Sequence, residues 1–430
     1  MDKIRIVGGN QLSGQIAISG SKNSSLPIMV ASLLTDQKIV LDNIPDLTDI
    51  KTLIRILKDL GSDISYSESD KQLSSIRQLN RRVNICSKNL VSNQANYEHL
   101  SKMRAGFLVI GPLLARTGYA KVSMPGGCAI GTRPVDIHLT GLRKLGAEIT
   151  IEEGYVIAKA KNGLIGNLIK LSKPSVGATQ NLIMAAVLAK GETSIVNASI
   201  EPETSDLISC IKKMGVQIEV RENNNILIQG TKNITGASHK IMADRIEAGT
   251  YAIAGCMTGG RLELTNFDPN LLEKPFEILR DIGCSIKVNK NSVIIEKLVS
   301  DLQPIKITTE PYPGFPTDLQ AQFMALLTQV PGTSVINERI FENRFMHVQE
   351  LVRMGANINL DGDKAIINGR TDLIGAPVMA TDLRASVSLV LAALSARGET
   401  IINRVYHLDR GFEDLEKKIS NCGGIIERIK

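Results

Sequence analysis

The stretch GETSIVNASIEPETSDLISCIKKMG, residues 191–215, contains the pattern that decides the fold. A glycine opens a short strand that ends near Asn197, and a helix follows and ends at Gly215. β-Branched residues such as Thr, Ile and Val favour strands, and a glycine just past a helix is typical of a left-handed C-terminal cap. The stretch therefore predicts a strand, a helix and the turn that ends the helix.

The same pattern recurs along the chain, each time with an apolar helix before the strand and a further strand after the glycine. The six strands are KIVLDN (38–43), AKVSMP (120–125), TSIVNA (193–198), RLELTN (261–266), TSVINE (333–338) and ETIINR (399–404). The helix-ending glycines are Gly61, Gly146, Gly215, Gly283, Gly355 and Gly423, at spacings of 85, 69, 68, 72 and 68 residues. The first repeat therefore carries an insertion, which we place in the polar segment 62–97. Strands that alternate with helices predict an α/β protein of six β-α-β-α-β-β repeats.

The two ends of the chain are predicted to belong to one domain. We expect a hairpin before each apolar helix, as in residues 226–243, and residues 4–19 have the same pattern. The last repeat ends at residues 424–430 with no hairpin partner after it, so we expect the N-terminal strands to complete it. Three repeats per domain give a domain of residues 1–21 with 243–430 and a domain of residues 22–242, which carries the cysteine loop 121–134.

Composition narrows the class of protein. A chain of 430 residues is long enough for two domains. Aromatic residues make up 3% and Trp is absent, and the net charge of +6 is spread along the chain, so we expect no nucleic-acid partner. No signal-like segment and no apolar run of about 20 residues occurs, so we expect a cytosolic protein without a membrane partner. The oligomeric state is not predicted.

The cysteines are scattered, with no CxxC pair, and only five His residues occur, so we expect neither a metal site nor a disulfide framework. Cys86, Cys210, Cys256, Cys284 and Cys422 are predicted to be small buried side chains. Cys128 differs because it lies in the glycine-rich stretch SMPGGCAIGTRP, residues 123–134.

This stretch makes the second repeat longer than the later ones. It needs 28 residues from Gly118 to Gly146, whereas repeats three to six need 23 to 25 for the same path. An added loop is not required by the fold, and its glycines cost backbone entropy. Cysteine is suited to proton donation or covalent attack near neutral pH. We therefore predict that Cys128 is catalytic.

The starts of the apolar helices are candidate binding sites, because helix N-termini expose unpaired N–H groups that bind anions. For Ser175, Asp318 and Asp382, ordinary N-capping is the alternative interpretation. Cations begin three other helices: Lys22, Arg104 and Arg245. A cation opposes the helix dipole at this end, so we expect an anionic ligand to offset these charges.

Seven motifs together resemble those of the bacterial UDP-N-acetylglucosamine enolpyruvyl transferases, nearly from end to end. They are SGSKNSSLPI (19–28), MPGGCAIGTRPVDIH (124–138), SVGATQNLIMAA (175–186), FPTDLQAQF (315–323), FENRFMHVQELVRMGA (341–356), TDLRAS (381–386) and HLDRGFEDLEKK (407–418). The enolpyruvyl transferase of the shikimate pathway (EPSP synthase) has the same architecture but lacks the cysteine loop. The resemblance implies a two-lobed inside-out α/β barrel, with helix N-termini that face a cleft.

The implied reaction transfers the enolpyruvyl group of phosphoenolpyruvate to the 3′-hydroxyl of UDP-N-acetylglucosamine and releases phosphate. This is the first committed step of peptidoglycan synthesis, on which cell-wall formation, cell shape and division depend. No cofactor is implied, and we expect no metal because cations and helix ends neutralise the ligand. The alternatives are a non-catalytic UDP-sugar sensor on the same scaffold and an enolpyruvyl transferase of the shikimate type.

The resemblance also implies roles for individual residues. Cys128 is similar to the family's proton donor, which forms a covalent adduct with phosphoenolpyruvate and is alkylated by epoxides of the fosfomycin type. Asp318 resembles the proposed base. Three residues, Lys22, Arg133 and Arg410, are similar to the family's residues that hold phosphoenolpyruvate. Charged positions around the reaction centre match Asp382, Arg344 and Arg384. The positions that bind the UDP-sugar match Asn23, Arg104, Arg133, Pro134, Val135, Asp136, Ile137, Lys173, Pro174, Ser175, Val176, Asp318 and Ile340.

The glycine-rich stretch 123–134 is expected to act as a lid that excludes water. His138 is expected either to orient Arg133 or to cap the helix after this stretch. The remaining histidines are expected to be structural: His99, His239, His347 and His407.

Overall fold

The computed structural model of the chain describes residues 2–68, 81–125, 134–296 and 302–430. Within these residues the chain forms two compact units. One unit consists of residues 2–19, 243–296 and 302–430, and the other consists of residues 20–125 and 134–242. The chain passes from the first unit to the second after Ser19 and returns after Met242. The described residues form six four-stranded sheets.

The strands, in chain order, are β1 (Lys3–Val7), β2 (Gly14–Ala17), β3 (Ile39–Asp42), β4 (Asp63–Glu68), β5 (Arg81–Cys86), β6 (Gln94–Ala95), β7 (Tyr119–Ser123), β8 (Glu148–Glu152), β9 (Tyr155–Lys159), β10 (Leu168–Lys170), β11 (Glu192–Val196), β12 (Gln217–Arg221), β13 (Asn225–Gln229), β14 (Ser238–Lys240), β15 (Leu262–Thr265), β16 (Ser285–Val288), β17 (Ser292–Glu296), β18 (Lys306–Thr308), β19 (Gly332–Asn337), β20 (Ile358–Asp361), β21 (Lys364–Gly369), β22 (Pro377–Met379), β23 (Glu399–Asn403) and β24 (Ile425–Ile429).

The α-helices are α1 (Lys22–Ala31), α2 (Thr48–Asp59), α3 (Tyr97–Leu100), α4 (Ile110–Thr117), α5 (Asp136–Lys144), α6 (Val176–Ala186), α7 (Pro202–Lys213), α8 (Arg245–Thr258), α9 (Glu273–Ile282), α10 (Gln320–Leu327), α11 (Val348–Arg353), α12 (Leu383–Ser395) and α13 (Leu415–Ser420). Short 3₁₀ helices cover Ser32–Leu34, Arg104–Val109, Pro269–Leu272, Thr317–Leu319 and Val405–Arg410.

Each sheet has the same spatial order of strands and the same pairing directions, which confirms the six predicted repeats. In the third repeat, β10 pairs in parallel with β11, and β13 lies between β11 and β12 in antiparallel pairing. Helix α6 connects β10 to β11, because parallel neighbours need a crossover. All six strands expected from the sequence are the central strands that pair with the parallel edge strand: β3, β7, β11, β15, β19 and β23.

The hairpins predicted before the apolar helices are wrong. In residues 226–243, β13 belongs to the sheet of the third repeat, whereas β14 pairs in parallel with β3 of the first repeat. The hairpin instead joins β12 to β13 through Asn223 and Asn224, which both have positive φ. The strand that precedes an apolar helix is therefore the edge of a different sheet: the following sheet for β6, β10, β18 and β22, and the sheet of the first repeat for β14. Short-range alternation of apolar residues cannot show this.

The prediction for the N-terminal strands is half right. Strand β1 lies between β23 and β24 and completes the last sheet, as expected. Strand β2 instead pairs in parallel with β15, in the sheet of the fourth repeat.

Two backbone features explain why the repeat is visible in the sequence. All six helix-ending glycines have positive φ, between 93° and 112°, which confirms the predicted left-handed caps. An asparagine after the central strand also has positive φ in three repeats, at Asn43, Asn197 and Asn266. The side-chain amides of these residues donate to carbonyl oxygens of the edge-strand segments, at Ile241 (2.9 Å), Leu171 (3.1 Å) and Ile18 (2.9 Å). Each of these asparagines thus joins the two parallel strands of its sheet.

The apolar helices lie in the cores of the units. Helices α1, α6, α8, α10 and α12 are buried along nearly their whole length. In one unit α8, α10 and α12 pack against one another, and in the other unit α6 packs against both α1 and α4. A helix that is apolar on all sides is expected in such a position.

Four of the five cysteines expected to be buried are so: Cys210, Cys256, Cys284 and Cys422. Burial raises the pKa of Cys210 to about 12, which makes its thiol inert near pH 7. The expectation is wrong for Cys86, which is only partly buried at the end of β5. The insertion predicted in segment 62–97 contains β4 and β5, and residues 69–80 between them lie outside the described residues. No helix in the described part of the chain is long and apolar enough to span a bilayer.

Candidate active site

In the unit that contains both ends of the chain, Asp318 lies between two arginines. It belongs to the short 3₁₀ helix that leads into α10. Nη2 of Arg344 donates to Oδ1 of Asp318 at 2.6 Å, and Nη2 of Arg384 donates to Oδ2 at 2.8 Å. The side chains of the two arginines are 6% and 7% exposed, whereas that of Asp318 is 27% exposed. We call these three residues the Asp318 cluster.

The charges of the cluster fix the protonation state of Asp318. Burial alone would raise the pKa of the carboxyl group, but the guanidinium groups of Arg384 and Arg344 hold it well below its usual value. Asp318 is therefore ionised at neutral pH, and both of its oxygens accept hydrogen bonds from arginines. As a result, it is a weak base in this arrangement.

Glu338 supports the Asp318 cluster from the side of β19. Its carboxylate accepts hydrogen bonds from the hydroxyl of Thr317 at 2.8 Å and from the backbone N–H groups of Ile340 and Phe341 at 2.8 and 3.1 Å. Thr317 in turn accepts from Nη1 of Arg344 at 2.8 Å. One buried carboxylate thus fixes both the backbone at Ile340 and the guanidinium that holds Asp318.

Asp382 is the N-cap of α12, which is the capping role that the sequence left open. Its Oδ1 accepts from the N–H groups of Arg384 and Ala385 at 2.9 and 3.1 Å. Since Arg384 also contacts Asp318, the cap places Asp382 next to the Asp318 cluster. Asp318 itself does not act as an N-cap, because both of its oxygens are held by arginines.

Two histidines beside Asp382 are kept neutral. Burial lowers the pKa of His347 to about 4; the charge of Asp382 opposes this lowering, and the charge of Arg344 adds to it. Burial and the charge of Arg410 also lower the pKa of His407, and Asp382 again opposes this. Arg410, at the end of its 3₁₀ helix, is therefore close enough to His407 to act on it. From the sequence, Asp382 and Arg410 were predicted as site residues, whereas the two histidines were predicted to be only structural.

In the other unit, Lys22 is the first residue of α1 and is buried. Its Nζ lies 3.3 Å from Oδ2 of Asp49 on α2. This carboxylate offsets the cation at the helix N-terminus, so the position of Lys22 alone does not require a ligand anion. Asn23 follows Lys22 and is partly exposed.

Polar side chains and backbone groups lie at the other helix starts of this unit. Ser175 is the N-cap of α6, and its Oγ accepts from the N–H of Ala178 at 3.4 Å. Lys173, Pro174 and Val176 around it are exposed. Arg104 begins a 3₁₀ helix that packs against both α1 and α6. These contacts place the starts predicted to bind the UDP-sugar on neighbouring elements.

The start of α5 holds the remaining predicted contacts of this unit. Pro134 and Asp136 are exposed, Ile137 is partly buried and Val135 is buried. His138, one turn into the helix, is buried, and its Nδ1 lies 3.0 Å from the side-chain amide nitrogen of Asn181 on α6. His138 thus ties α5 to α6.

Two central predictions, Cys128 and Arg133, lie outside the described residues. The structure brings Asp318, Arg344, Arg384 and Asp382 together, and it places Ile340 on the loop fixed by Glu338. Sequence reasoning missed Glu338, Thr317 and Asp49, because a single carboxylate or hydroxyl in or near a regular element gives no signal of what it will contact. In the described residues, no cluster of His, Cys, Asp and Glu side chains could hold a metal ion.

Comparison with known structures confirms the predicted fold class. The enolpyruvyl transferase NikO from Streptomyces tendae superimposes with a TM-score of 0.88 at 22% identity, covering 99% of this chain and 98% of that one. EPSP synthase from Acinetobacter baumannii superimposes with a TM-score of 0.74 at 18% identity over the full length of both chains.

Comparison of sequences is more specific. The family model for EPSP synthase (3-phosphoshikimate 1-carboxyvinyltransferase) matches residues 6–419. UDP-N-acetylglucosamine 1-carboxyvinyltransferase 1 of Mesorhizobium japonicum is 54% identical over 430 residues, which cover all of both chains. UDP-N-acetylglucosamine 1-carboxyvinyltransferase of Methylocella silvestris is likewise 54% identical over 429 residues, again over the full length of both. The chain therefore belongs to the UDP-N-acetylglucosamine 1-carboxyvinyltransferase family of enolpyruvyl transferases.

Proposed function

We propose that this protein transfers the enolpyruvyl group of phosphoenolpyruvate to the 3′-hydroxyl of UDP-N-acetylglucosamine and releases phosphate, as a step of peptidoglycan synthesis. The observation that carries the proposal is the 54% identity over the whole chain to relatives named for this transfer. The shikimate-type alternative is not favoured, because the EPSP synthase structure shares only 18% identity. The alternative of a non-catalytic sensor is not favoured either, because it does not explain why the relatives are named as transferases.

The reaction has an addition step and an elimination step. In the addition, the 3′-oxygen bonds to C2 of phosphoenolpyruvate, C3 gains a proton, and the hydroxyl loses its own proton. In the elimination, the bond from C2 to the phosphate oxygen breaks, phosphate leaves, and C3 gives up a proton. The protein must supply one acid, one base and enough positive charge for a phosphate and a carboxylate.

Asp318 is the proposed base, and its surroundings determine when it acts. A carboxylate whose pKa is held low by two guanidinium groups does not deprotonate a free sugar hydroxyl efficiently. The hydroxyl becomes strongly acidic only as its oxygen bonds to C2. We therefore place the proton transfer to Asp318 late in the addition step, when one arginine has released an oxygen of the carboxylate.

The other roles follow the family resemblance. Cys128 is the proposed acid that protonates C3. Lys22, Arg133 and Arg410 are proposed to hold the phosphate and the carboxylate of phosphoenolpyruvate, since arginine forms paired hydrogen bonds with such groups. Asp382 is proposed to stabilise the positive charge that develops at C2.

The UDP-sugar is proposed to bind across the helix starts of the unit formed by residues 20–125 and 134–242, with further contacts at Ile340 and Asp318. The contacting groups there are Asn23, Arg104, Arg133, residues 134–137 and residues 173–176. The exposed start of α6 suits an anionic diphosphate, because its first N–H groups point out of the helix.

A phosphate-release assay tests the function. The protein is incubated with phosphoenolpyruvate, with and without UDP-N-acetylglucosamine, and we expect phosphate only when both are present. A folded wild-type protein that binds the UDP-sugar without releasing phosphate would support the sensor instead. Release with shikimate 3-phosphate in place of the UDP-sugar would support the shikimate type.

Cys128 provides a second test, with Cys86 as the matched control because Cys86 is the one cysteine among the described residues that is not fully buried. We expect Cys128→Ser to abolish turnover and to prevent labelling by an epoxide of the fosfomycin type, while binding of the UDP-sugar persists. Cys86→Ser should leave both turnover and labelling intact. Labelling that moves with Cys86 would contradict the assignment.

We also place the protein in the cytoplasm. Both proposed substrates carry several negative charges and do not cross a bilayer unaided. A cell-fractionation experiment checks this placement.

A further inference from the structure

A chain of hydrogen-bonded polar side chains lies behind the first turn of α1 and runs from Ser24 and Asp206 through the buried His239 to Lys213, which is exposed. Oδ1 of Asp206, on α7, lies 2.8 Å from Nε2 of His239, on β14. Nδ1 of His239 lies 3.2 Å from Nζ of Lys213. Oδ2 of Asp206 accepts from the hydroxyl of Ser24 and from the backbone N–H of Met242, the latter at 3.1 Å. The side chains of His239 and Asp206 are only 3% and 12% exposed.

The chemistry of these groups leaves one assignment of protons. The ammonium group of Lys213 has donors only, so Nδ1 of His239 must accept. With Nδ1 as the acceptor, the ring proton is on Nε2, which donates to Asp206. Asp206 therefore receives three hydrogen bonds, and each of its partners is a donor: Nε2–H of His239, the hydroxyl of Ser24 and the N–H of Met242.

This arrangement fixes the first turn of α1 at both ends. Ser21, the N-cap, donates its backbone N–H to the carbonyl oxygen of Met242 at 2.8 Å. Ser24 is tied to the N–H of the same Met242 through the carboxylate of Asp206. Lys22 and Asn23 are the two residues between these anchors, so the direction of their side chains depends on both.

We propose that Asp206 is a positioning residue for the transfer reaction: as the common acceptor for His239, Ser24 and Met242, it orients the turn that presents Lys22 and Asn23. The inference rests on the proposed function for its kinetic readout, and on the structure alone for its exchange readout. Neither Asp206 nor His239 is part of the set of residues that the family resemblance assigns to substrate.

The substitution Asp206→Asn tests the proton assignment. The new side chain keeps the shape of the old one but has one acceptor oxygen and one NH₂ donor. If the NH₂ group faces Met242, two donors oppose each other; if it faces His239, it meets the proton on Nε2. While the exposed Lys213 donates to Nδ1, the imidazole cannot carry its proton there. We expect kcat to fall by about 10- to 100-fold, the loss that a small misplacement of catalytic groups causes.

The double substitution Asp206→Asn with Lys213→Met should restore much of this loss. Without the ammonium group, His239 can carry its proton on Nδ1 and accept from the new amide through Nε2. The amide oxygen then accepts from Ser24 and Met242 as before. Lys213→Met alone should stay close to wild type, since the Nε2–H form of His239 remains available to Asp206.

The experiment measures phosphate release together with hydrogen–deuterium exchange of residues 21–25, for the wild type, the two single variants and the double variant. Asp42→Asn is the matched control: Asp42 is also partly buried and binds Arg82 at 2.7 Å, but it does not contact α1 through its side chain. We expect faster exchange and lower kcat for Asp206→Asn, restoration of both in the double variant, and neither effect for Asp42→Asn.

Several outcomes would overturn the proposal. Wild-type kinetics and exchange in Asp206→Asn would show that the carboxylate does not position the turn, and a loss that the double variant does not restore would show that the proton assignment is wrong. If Asp206→Asn fails to fold, Ser24→Ala tests the same link, and unchanged exchange there refutes it. An inactive wild type refutes the proposed function instead, and the exchange data still decide the role of Asp206.

Discussion

The ion pairs of Asp318 give the sharpest prediction for stability. Asp318→Asn removes the counter-charge of Arg344 and Arg384, whose side chains are 6% and 7% exposed. Removing one partner of a buried ion pair costs about 3–5 kcal/mol, because it leaves an uncompensated buried charge. Asp318 is itself 27% exposed, so water screens part of the interaction. We therefore expect a loss of about 3 kcal/mol in the free energy of unfolding at pH 7.

Differential scanning calorimetry measures this loss. For a unit of roughly 200 residues, each kcal/mol shifts Tm by about 2–4 °C, so the transition of the unit that contains Asp318 should fall by about 6–12 °C. Asp372→Asn is the matched control in the same unit, since its ion pair with Arg397 lies on the surface, with 64% and 75% of the side chains exposed. Exposed pairs contribute little to stability, so its Tm should stay near that of the wild type.

The contribution of Asp318 to stability should depend on pH in one direction. The folded-state pKa of Asp318 lies below the unfolded value of 3.8, so the carboxylate contributes stability that is fully present above that value and is lost as pH falls through the folded pKa. The difference in Tm between wild type and Asp318→Asn should therefore be constant from pH 7 down to about pH 5 and should shrink below about pH 3.8. Equal Tm values at pH 7, or a difference that grows as the solution becomes more acidic, would refute the reasoning.

Three further changes test other parts of the structure. Gly20→Ala should lower the free energy of unfolding, as measured by urea titration, by about 1–3 kcal/mol or more. The reason is that the new Cβ would lie 1.8 Å from the carbonyl oxygen of Asn43. An unchanged urea midpoint would contradict this close approach. Ser175→Ala should cost about 0.5–2 kcal/mol through loss of the cap of α6, whereas Ser175→Asp, which retains a capping oxygen, should keep the wild-type midpoint. The ring protons of His347 should not titrate between pH 6 and 8 in NMR spectra, since burial lowers its pKa to about 4; the resonance is assigned by its loss in His347→Asn, and a transition near pH 6.5 would contradict the burial argument.

Local signals in the sequence predicted the local parts of the fold. A glycine that must adopt positive φ leaves its mark at one position, which is why all six helix ends were predicted. The central strands were predicted for a similar reason, because their β-branched residues favour extended backbone. Pairing is not local. Strands β13 and β14 follow each other in the sequence but belong to different sheets, and nothing in their alternation distinguishes a hairpin from an exchange between sheets.

The candidate site shows the same limit. Asp318, Arg344 and Arg384 were each predicted from a motif, but no motif could show that both arginines bind the same carboxylate, since 66 residues separate Asp318 from Arg384. Asp206 and Glu338 gave no signal at all. Each is a single acidic residue in or beside a regular element, and its importance comes only from the donors that the fold brings to it.

The position of β1 between β23 and β24 has a consequence for how the chain folds during its synthesis on the ribosome. Strand β1 is made long before its partners β23 and β24, which follow it by about 400 residues. The segment from residue 20 to residue 242 contains all three of its own sheets and can finish folding while synthesis continues. Strand β2 must wait for β15, and strand β1 must wait until β23 and β24 have emerged, so the sheet that contains β1 is completed long after β1 itself is made.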